Sequence, residues 1–394
     1  MNEQKSGLNT ICTHVGEVKD EQFKGAISPL YMSTSYAFED VDLKRYPRYF
    51  NTPNQEALCR KIAALEHTGA ALIFGSGMAA ISTALLAFLK AGDHIVLQRT
   101  LYGGTYNLVT EEFDKFGIEF SFTDGWTVAD FEDKIKENTK VIYIETPSNP
   151  LLTITDLAGI EKLSKKHGLV SMIDNTFASP VNQNPADFGI DIIIHSATKY
   201  MGGHSDICAG AVASSKENIT RIFALAKNLG GSLSDYTVWL LERSMKTMGI
   251  RVRAQNKNAQ RIAEYLANHK DVSAVYYPGL ESHPSHELAK SQMEGFGGML
   301  SFELNEDYDA SAFQKNLRLI KSSMSLAGVE STVLSPAQTS HSLLSAEERK
   351  LQGIGDGLIR FSVGIEEPED LIADMEQALE KVRISQTVTT HKVI

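Results

Sequence analysis

The sequence predicts an α/β protein: a large, mostly parallel sheet with helices on both faces, followed by a smaller C-terminal α+β domain. Three observations carry this. Between about residues 60 and 233, short apolar runs alternate with stretches of helical period. The runs are continuously apolar, as in Ile192-Ile193-Ile194, which marks strands buried on both faces. Past Leu233 the alternation stops, and long helical stretches give way to scattered strands and helices.

Each element follows from local signals. Residues 1–60 have little periodicity: Pro29, Pro47 and Pro53 interrupt them, and Tyr31, Tyr36, Phe38, Tyr46, Tyr49 and Phe50 stud them. So aromatic an arm needs a surface to pack on, and another subunit is the expected one. Helix is predicted over 55–67 and strand over 70–74. Gly75-Ser76-Gly77-Met78 then opens a helix with Ile81, Leu85 and Leu89 on one face, which stops at Gly92-Asp93. Strand is predicted over 94–97 and helix over 103–116, with Tyr106, Val109, Phe113 and Phe116 inward. Further strands are read at 119–122, 141–145, 170–174, 191–195 and 210–214, and helices at 128–137 and 156–167. The stretch 236–269 reads as long helix broken near Met248-Gly249. Strands at 272–277 and 298–304 and helices at 310–318, 344–351 and 368–381 complete the chain, with a frayed tail past Arg383. The domain reading is an arm over 1–60, an α/β domain over 61–250 and an α+β domain over 251–394.

Composition excludes several classes. The 394 residues are 22% charged and 42% hydrophobic, ordinary for a globular protein. A net charge of −11 argues against nucleic acid or an anionic membrane as partner. No run of about eighteen apolar residues predicts a transmembrane helix, and the polar start of the chain has no signal-peptide core. Cys12, Cys59 and Cys208 are odd in number and far apart, as reduced thiols of a cytoplasmic protein would be. No metal is expected: Cys-x2-Cys is absent, and His283 and His286 stand as a lone pair.

Several residues carry candidate chemistry. Lys199 lies in Ser196-Ala197-Thr198-Lys199-Tyr200, directly after the isoleucine strand, where open α/β sheets place ligands. The hydroxyls of Ser196 and Thr198 suit phosphate oxygens, and a lysine in a dry pocket attacks carbonyls; the alternative is a solvated loop lysine. Gly75-Ser76-Gly77-Met78 stands between strand and helix, as a phosphate cradle or as a plain tight turn. It is neither a dinucleotide fingerprint nor a nucleophile elbow, since no G-x-G-x-x-G follows and position 74 is Phe. Asp174 ends a buried strand, so it meets a positive partner such as a protonated ring nitrogen, or else caps a turn. Tyr102, before Gly103-Gly104, either stacks on a flat ring or is an ordinary half-buried tyrosine. Arg360, inside an apolar run, suits a planar carboxylate or a structural ion pair. Phosphate cradle, aromatic stack, pyridinium acid, lysine and carboxylate-binding arginine together describe a site for pyridoxal 5'-phosphate.

The sequence also resembles the Cys/Met-metabolism family of pyridoxal-phosphate enzymes, which includes cystathionine γ-synthase, cystathionine β- and γ-lyases and methionine γ-lyase. The likeness runs from about Thr13 to Lys381. It rests on Y-x-R at Tyr46 and Arg48, S-G-M-A-A at 76–80, L-Y-G-G-T at 101–105 and I-D-N-T-F at 173–177. S-A-T-K-Y-x-x-G-H-S-D at 196–206, S-L-x-G-V-E-S at 325–331 and L-I-R-F-S-V-G at 358–364 extend it.

The resemblance implies the type I fold of pyridoxal-phosphate transferases. It implies that Lys199 holds the cofactor, Asp174 pairs with the pyridine nitrogen and Tyr102 stacks on the ring and assists proton transfer. Gly77, Met78, Ser196 and Thr198 would hold the phosphate. Asn149 would lie near the ring hydroxyl, and Arg360 and Ser325 would hold the substrate carboxylate. Tyr46 and Arg48 would reach the neighbouring subunit's site in a homotetramer built from two catalytic dimers.

One departure is visible: the family continues Y-x-R with N-P-T, and here the run is Asn51-Thr52-Pro53-Asn54. Within the family, methionine γ-lyases usually carry cysteine two places after the stacking tyrosine, where this chain has Gly104. The acidic residue of the G-x-E-S run is matched by Glu330, placed to attract a distal ammonium or else an ordinary loop or helix-capping residue. The expectation is a cytoplasmic C–S lyase or transferase acting at Cγ of cystathionine or activated homoserine. Methionine γ-lyase, cystathionine β-lyase and O-acetylhomoserine sulfhydrylase are the alternatives, and an aminotransferase or a cofactor-free scaffold are more distant ones.

Overall fold

The computed structural model describes residues 6–339, 347, 349 and 353–390, with side chains described as far as Arg383. The chain forms two compact units, Met1–Thr146 with Thr155–Ile250, and Pro147–Ile154 with Arg251–Ile394.

The first unit is built on seven strands: β1 (Ala70–Phe74), β2 (His94–Leu97), β3 (Glu119–Phe122), β4 (Thr139–Glu145), β5 (Val170–Asp174), β6 (Ile192–His195) and β7 (Gly210–Ser214). Their order in the sheet is β1-β7-β6-β5-β4-β2-β3. The run from β6 to β3 is parallel, and β7 is antiparallel to both its neighbours. Ile192, Ile193 and Ile194 are all buried, so β6 is covered on both faces as its unbroken apolar run requires. Ile192 and Ile194 join the core beneath the helix Gly77–Phe88, whose Ala80, Ile81, Ala84 and Leu85 pack there. Each such isoleucine contributes about 1.5–3 kcal/mol over leaving it in water.

Helix boundaries differ from the sequence reading where capping decides them. The helix expected over 55–67 is Pro53–Leu65: Thr52 caps it with Gln55 in a reciprocal box, and Pro53 takes the first position, where no N–H is needed. The helix from Gly77 ends at Phe88, earlier than Gly92-Asp93. The stretch 103–116 is not one helix. An α-helical turn (Gly103–Asn107) passes into a π turn (Leu108–Glu112) and then a 3-10 turn (Phe113–Phe116). The wider π turn rotates the following side chains, so Val109 and Phe113 are buried while Phe116 is half exposed rather than inward. The helix expected over 128–137 stops at Glu132.

Three α-helices of this unit were not anticipated, Leu8–His14, Ser179–Asn182 and Lys216–Leu229; the last buries Ile219, Ile222 and Ala226 at helical spacing. Asp235–Met245 closes the unit's helices. The segment after Leu8–His14 is irregular and leaves Phe23, Met32 and Phe38 more than 60% exposed.

The second unit holds a five-stranded sheet of order β10-β11-β12-β9-β8. Its strands are β8 (Val272–Tyr276), β9 (Met299–Leu304), β10 (Lys321–Ser322), β11 (Thr332–Leu334) and β12 (Leu358–Ser362). Leu300, Phe302, Ile359 and Phe361 meet Phe313, Leu371 and Met375 in its core. Helices Ala310–Asn316 and Pro368–Thr390 cover it; the latter extends through most of the tail expected past Arg383. The helix His286–Gln292 was not read from sequence. The short helix expected over 344–351 lies largely outside the described residues. Among the described residues no helix is long and apolar enough to cross a membrane.

Candidate active site

Three neighbouring parallel strands deliver polar side chains to one end of the first unit's sheet. β4 ends in Glu145, β5 in Asp174 and β6 in His195, with Glu145 and Ile194 both in register with Asp174. Asp174 is buried, and its Oδ1 accepts the Thr176 N–H at 3.0 Å. Burial pushes its carboxyl above the ordinary carboxylate range, opposed by hydrogen bonds from Thr176 and by the charges of His195 and Lys199. A buried carboxylate in this position calls for a cationic hydrogen-bond partner.

Lys199 is half-buried in the loop after β6. The loop is shaped by its own backbone: the Lys199 N–H donates to Ser196 O at 3.0 Å, Gly202 N–H to Ala197 O at 2.9 Å and Gly203 N–H to Lys199 O at 2.7 Å. Gly203 takes φ +69°, which favours glycine. Ser196 is tied to the Asp174 corner, because its N–H donates to Thr176 Oγ1 at 2.8 Å.

The N-terminus of the helix Gly77–Phe88 packs directly on this loop. A Cβ at Gly77 would lie 2.8 Å from Ser196 Cβ and 3.0 Å from Ser196 Oγ. Ser76 caps the helix through Ala79 N–H at 3.0 Å, and the N–H groups of Gly77 and Met78 have no intrahelical acceptor. Helix N–H groups with a serine hydroxyl beside them, where even a methyl group does not fit, suit a phosphate. Thr198 is committed differently: its hydroxyl donates to Ala209 O at 3.1 Å and accepts from Ala209 N–H at 3.0 Å.

Tyr102 is linked to the strand ends through its N–H, which donates to Glu145 Oε2 at 2.8 Å. Its ring is 47% exposed and folds over Gly104, where a Cβ would stand 2.6 Å from Tyr102 Cε1 and 2.9 Å from Met78 Sδ. Lys199, Asp174, Tyr102, Gly77, Met78, Ser196 and Thr198 thus belong to one connected group.

Tyr46 and Arg48 make other contacts in the chain. Arg48 donates to Lys227 O and lies 5.7 Å and 5.1 Å from the ring centroids of Tyr46 and Tyr49. Tyr46 N–H donates to Asn51 Oδ1 at 2.9 Å. The shifted proline has a local reason: Thr52 is needed as the cap and Pro53 as the first residue of the following helix.

In the second unit, Arg360 on β12 is 5% exposed. Its NH1 donates to Asn149 Oδ1 at 3.1 Å and its NH2 to Ser325 O at 2.9 Å, so Ser325 meets Arg360 through its carbonyl. Asn149 sits in the loop Pro147–Ile154, which is fastened by Ser301 Oγ to Pro150 O at 2.7 Å and Leu152 N–H to Ser148 O at 2.9 Å. A planar guanidinium aimed from a buried strand is suited to two-point contact with a carboxylate. Glu330 lies in the loop before β11, 45% exposed, with Lys321 Nζ 3.9 Å away.

Sequence reasoning missed Glu145, which anchors Tyr102, and the buried pair Glu66 and His195. His195 did carry a signal: it is the polar end of an isoleucine strand, immediately before Ser196.

The family model described as Cys/Met metabolism PLP-dependent enzyme matches residues 9–380, and the chain belongs to that family. A cystathionine gamma-lyase of Bacillus subtilis (strain 168) is 44% identical over 377 residues, 95% of this chain and 99% of that protein. A cystathionine beta-lyase of Lactococcus lactis subsp. cremoris (strain MG1363) is 44% identical over 370 residues, 93% of this chain and 97% of that protein. The crystal structure of a cystathionine gamma-lyase from Lactobacillus plantarum complexed with L-serine superposes with a TM-score of 0.92 at 39% identity, covering 96% of this chain and 100% of that one. The enzyme uses pyridoxal phosphate, and the helix N-terminus beside Ser196, the buried Asp174 and the adjacent Lys199 fit it.

Proposed function

We propose that this enzyme cleaves or forms the C–S bond at Cγ of cystathionine or of an activated homoserine. The observation that carries the reading is the placement of Lys199 beside Asp174 at the ends of adjacent parallel strands, with the helix N-terminus of Gly77 packed on Ser196. Pyridoxal phosphate, when bound, supplies an electron-withdrawing ring that acidifies the Cα–H of an attached amino acid. Lys199 would hold the cofactor covalently and, once the substrate amine has displaced it, its free amine would take the Cα proton. In γ-chemistry it also serves the Cβ proton. Asp174 would hold the proton on the ring nitrogen. The N–H groups of Gly77 and Met78, with Ser196, hold the phosphate. Thr198 contributes by stiffening the loop, its hydroxyl donating to Ala209 O and accepting from Ala209 N–H. Tyr102 would stack on the ring and move protons at the substrate amine or leaving group.

Arg360 would hold the substrate carboxylate, aided by Ser325 and by Asn149, which would also meet the ring hydroxyl. Glu330 attracts a distal ammonium, which cystathionine has and methionine lacks. The reading includes a cytoplasmic homotetramer of two catalytic dimers in which Tyr46 and Arg48 act in the neighbouring subunit's site. The exposed apolar side chains of the 1–60 arm support it, because they need cover. In the same reading 61–250 is the cofactor-binding domain and 251–394 the C-terminal domain.

The test offers cystathionine, methionine, cysteine, O-acetylhomoserine and O-succinylhomoserine, each with and without a thiol, and identifies the products by mass. Turnover of cystathionine at Cγ above methionine elimination is expected. Release of pyridoxamine phosphate with the side chain intact would instead select an aminotransferase. Borohydride reduction of the loaded enzyme followed by peptide mapping should place the adduct on Lys199. An adduct on any other lysine refutes the site.

A further inference from the structure

Behind the strand end that carries Asp174 lies a second buried charged pair, which none of these roles uses. Glu66 follows the helix Pro53–Leu65 and is fully buried. His195 ends β6 at 2% exposure, and its Nε2 meets Glu66 Oε1. The same Glu66 oxygen accepts from Asn175 Nδ2 at 3.2 Å. Asn175 is locked in turn: its Nδ2 donates to Gln183 O, and its Oδ1 accepts from Gln183 Nε2, both at 3.0 Å. Glu66 Oε2 is buried with no hydrogen-bond partner among the described residues. A bare carboxylate oxygen in a dry interior is costly, and a glutamine would serve the same packing without a charge. A buried carboxylate is tolerated beside a hydrogen-bonding partner, and the His195 ring is that partner here.

The pair is tied to the turn after Asp174 at two points. On one side Glu66 holds Asn175, the next residue of the chain, whose N–H donates to Ile194 O at 2.9 Å. On the other, His195 precedes Ser196, whose N–H reaches Thr176 Oγ1. Asp174 is in register with Ile194, so His195 projects to the opposite face of the sheet one position further on.

We propose that Glu66 and His195 are positioning residues for the cofactor: the His195 side chain, paired with Glu66, supports ionised Asp174 from behind, and Glu66 fixes both the imidazole and Asn175. This rests on Asp174 being the partner of the ring nitrogen. The titratable groups around Asp174 are Tyr143 and Glu145 from β4, His195 from β6, Lys199 from the following loop, and Glu66 behind His195. Burial and the carboxylates of Asp174 and Glu145 push the Tyr143 phenol well up, so it stays neutral. Of the two basic groups, Lys199 changes partners during the reaction, whereas His195 does not.

The sign follows directly. The interaction with His195 lowers the Asp174 value, so removing His195 raises it and the Asp174 charge is lost at a higher pH on acidification. The experiment follows cofactor loss from the diluted holoenzyme into a trapping protein, as a function of pH, by its visible absorbance. His195→Gln and Glu66→Gln are compared with Asp174→Asn and with the His195→Gln/Asp174→Asn double variant. Acid-triggered loss should set in about one pH unit higher in His195→Gln, and loss in that window should be about tenfold faster. In the Asp174→Asn background His195→Gln should add less than about twofold, because the group it acts through is gone.

An equal effect in both backgrounds, or an unmoved acid onset, overturns the proposal. An Asp174→Asn enzyme that keeps its cofactor like the wild type overturns the reading of Asp174 itself, which is a separate failure. If neither His195→Gln nor Glu66→Gln folds, the pair is structural and the proposal falls.

Discussion

Gly77→Ala tests the phosphate cradle with a single methyl group. The added Cβ would stand 2.8 Å from Ser196 Cβ, 3.0 Å from its Oγ and 3.1 Å from its Cα. Carbon atoms rest at about 3.5–4.0 Å, so the helix start and the Ser196 loop must part by roughly 0.7 Å or more. Rotating Ser196 does not remove the clash, because its backbone carbon is among the atoms met. Overpacking of this kind costs about 1–3 kcal/mol. Alanine returns up to about 1 kcal/mol through helix propensity, so global stability falls by about 0–3 kcal/mol.

Cofactor binding falls further, because parting these elements lengthens charge-assisted bonds to phosphate worth about 1.5–3 kcal/mol each. The expected loss of cofactor affinity is about ten- to a hundredfold. The assay is cofactor retention on serial dilution, read by absorbance, beside thermal unfolding of the same samples. A Gly77→Ala enzyme that retains cofactor like the wild type, whether or not its Tm falls, refutes the cradle.

Two other perturbations address the substrate side and the assembly. Arg48→Ala and Lys199→Ala should each be inactive, and mixing them under conditions of proven subunit exchange should restore part of the activity; no recovery means that Arg48 does not act in trans. Glu330→Ala should lower kcat/KM for cystathionine by up to about tenfold and leave methionine within about twofold, since an exposed charge pair is worth at most about 1 kcal/mol and Lys321 already offsets part of the field. Equal losses on the two substrates would remove Glu330 from specificity.

The sequence by itself determined the kinds of element and the order in which the chemistry appears along the chain. Strand type was legible because a buried parallel strand is written in consecutive residues such as Ile192-Ile193-Ile194, and the lysine loop, Asp174 and the glycine turn lie at the ends of such runs. Periodicity is a local property, fixed by neighbours a few residues apart. Tertiary structure decided what depends on partners far along the chain. Strand order placed Glu145, Asp174 and His195 side by side, and β7 ran against its neighbours without any local mark of direction. The π turn at Leu108–Glu112 turned Phe116 outward, although the apolar spacing of 103–116 reads as one helix. Thr198 spent its hydroxyl proton on Ala209, and Ser325 offered Arg360 a carbonyl, because side-chain direction is set by the loop that carries it. Glu66 and His195 lie 129 residues apart, and Asn149 and Arg360 lie 211 apart. No periodicity spans such distances; only the packing of sheets and loops in three dimensions closes them.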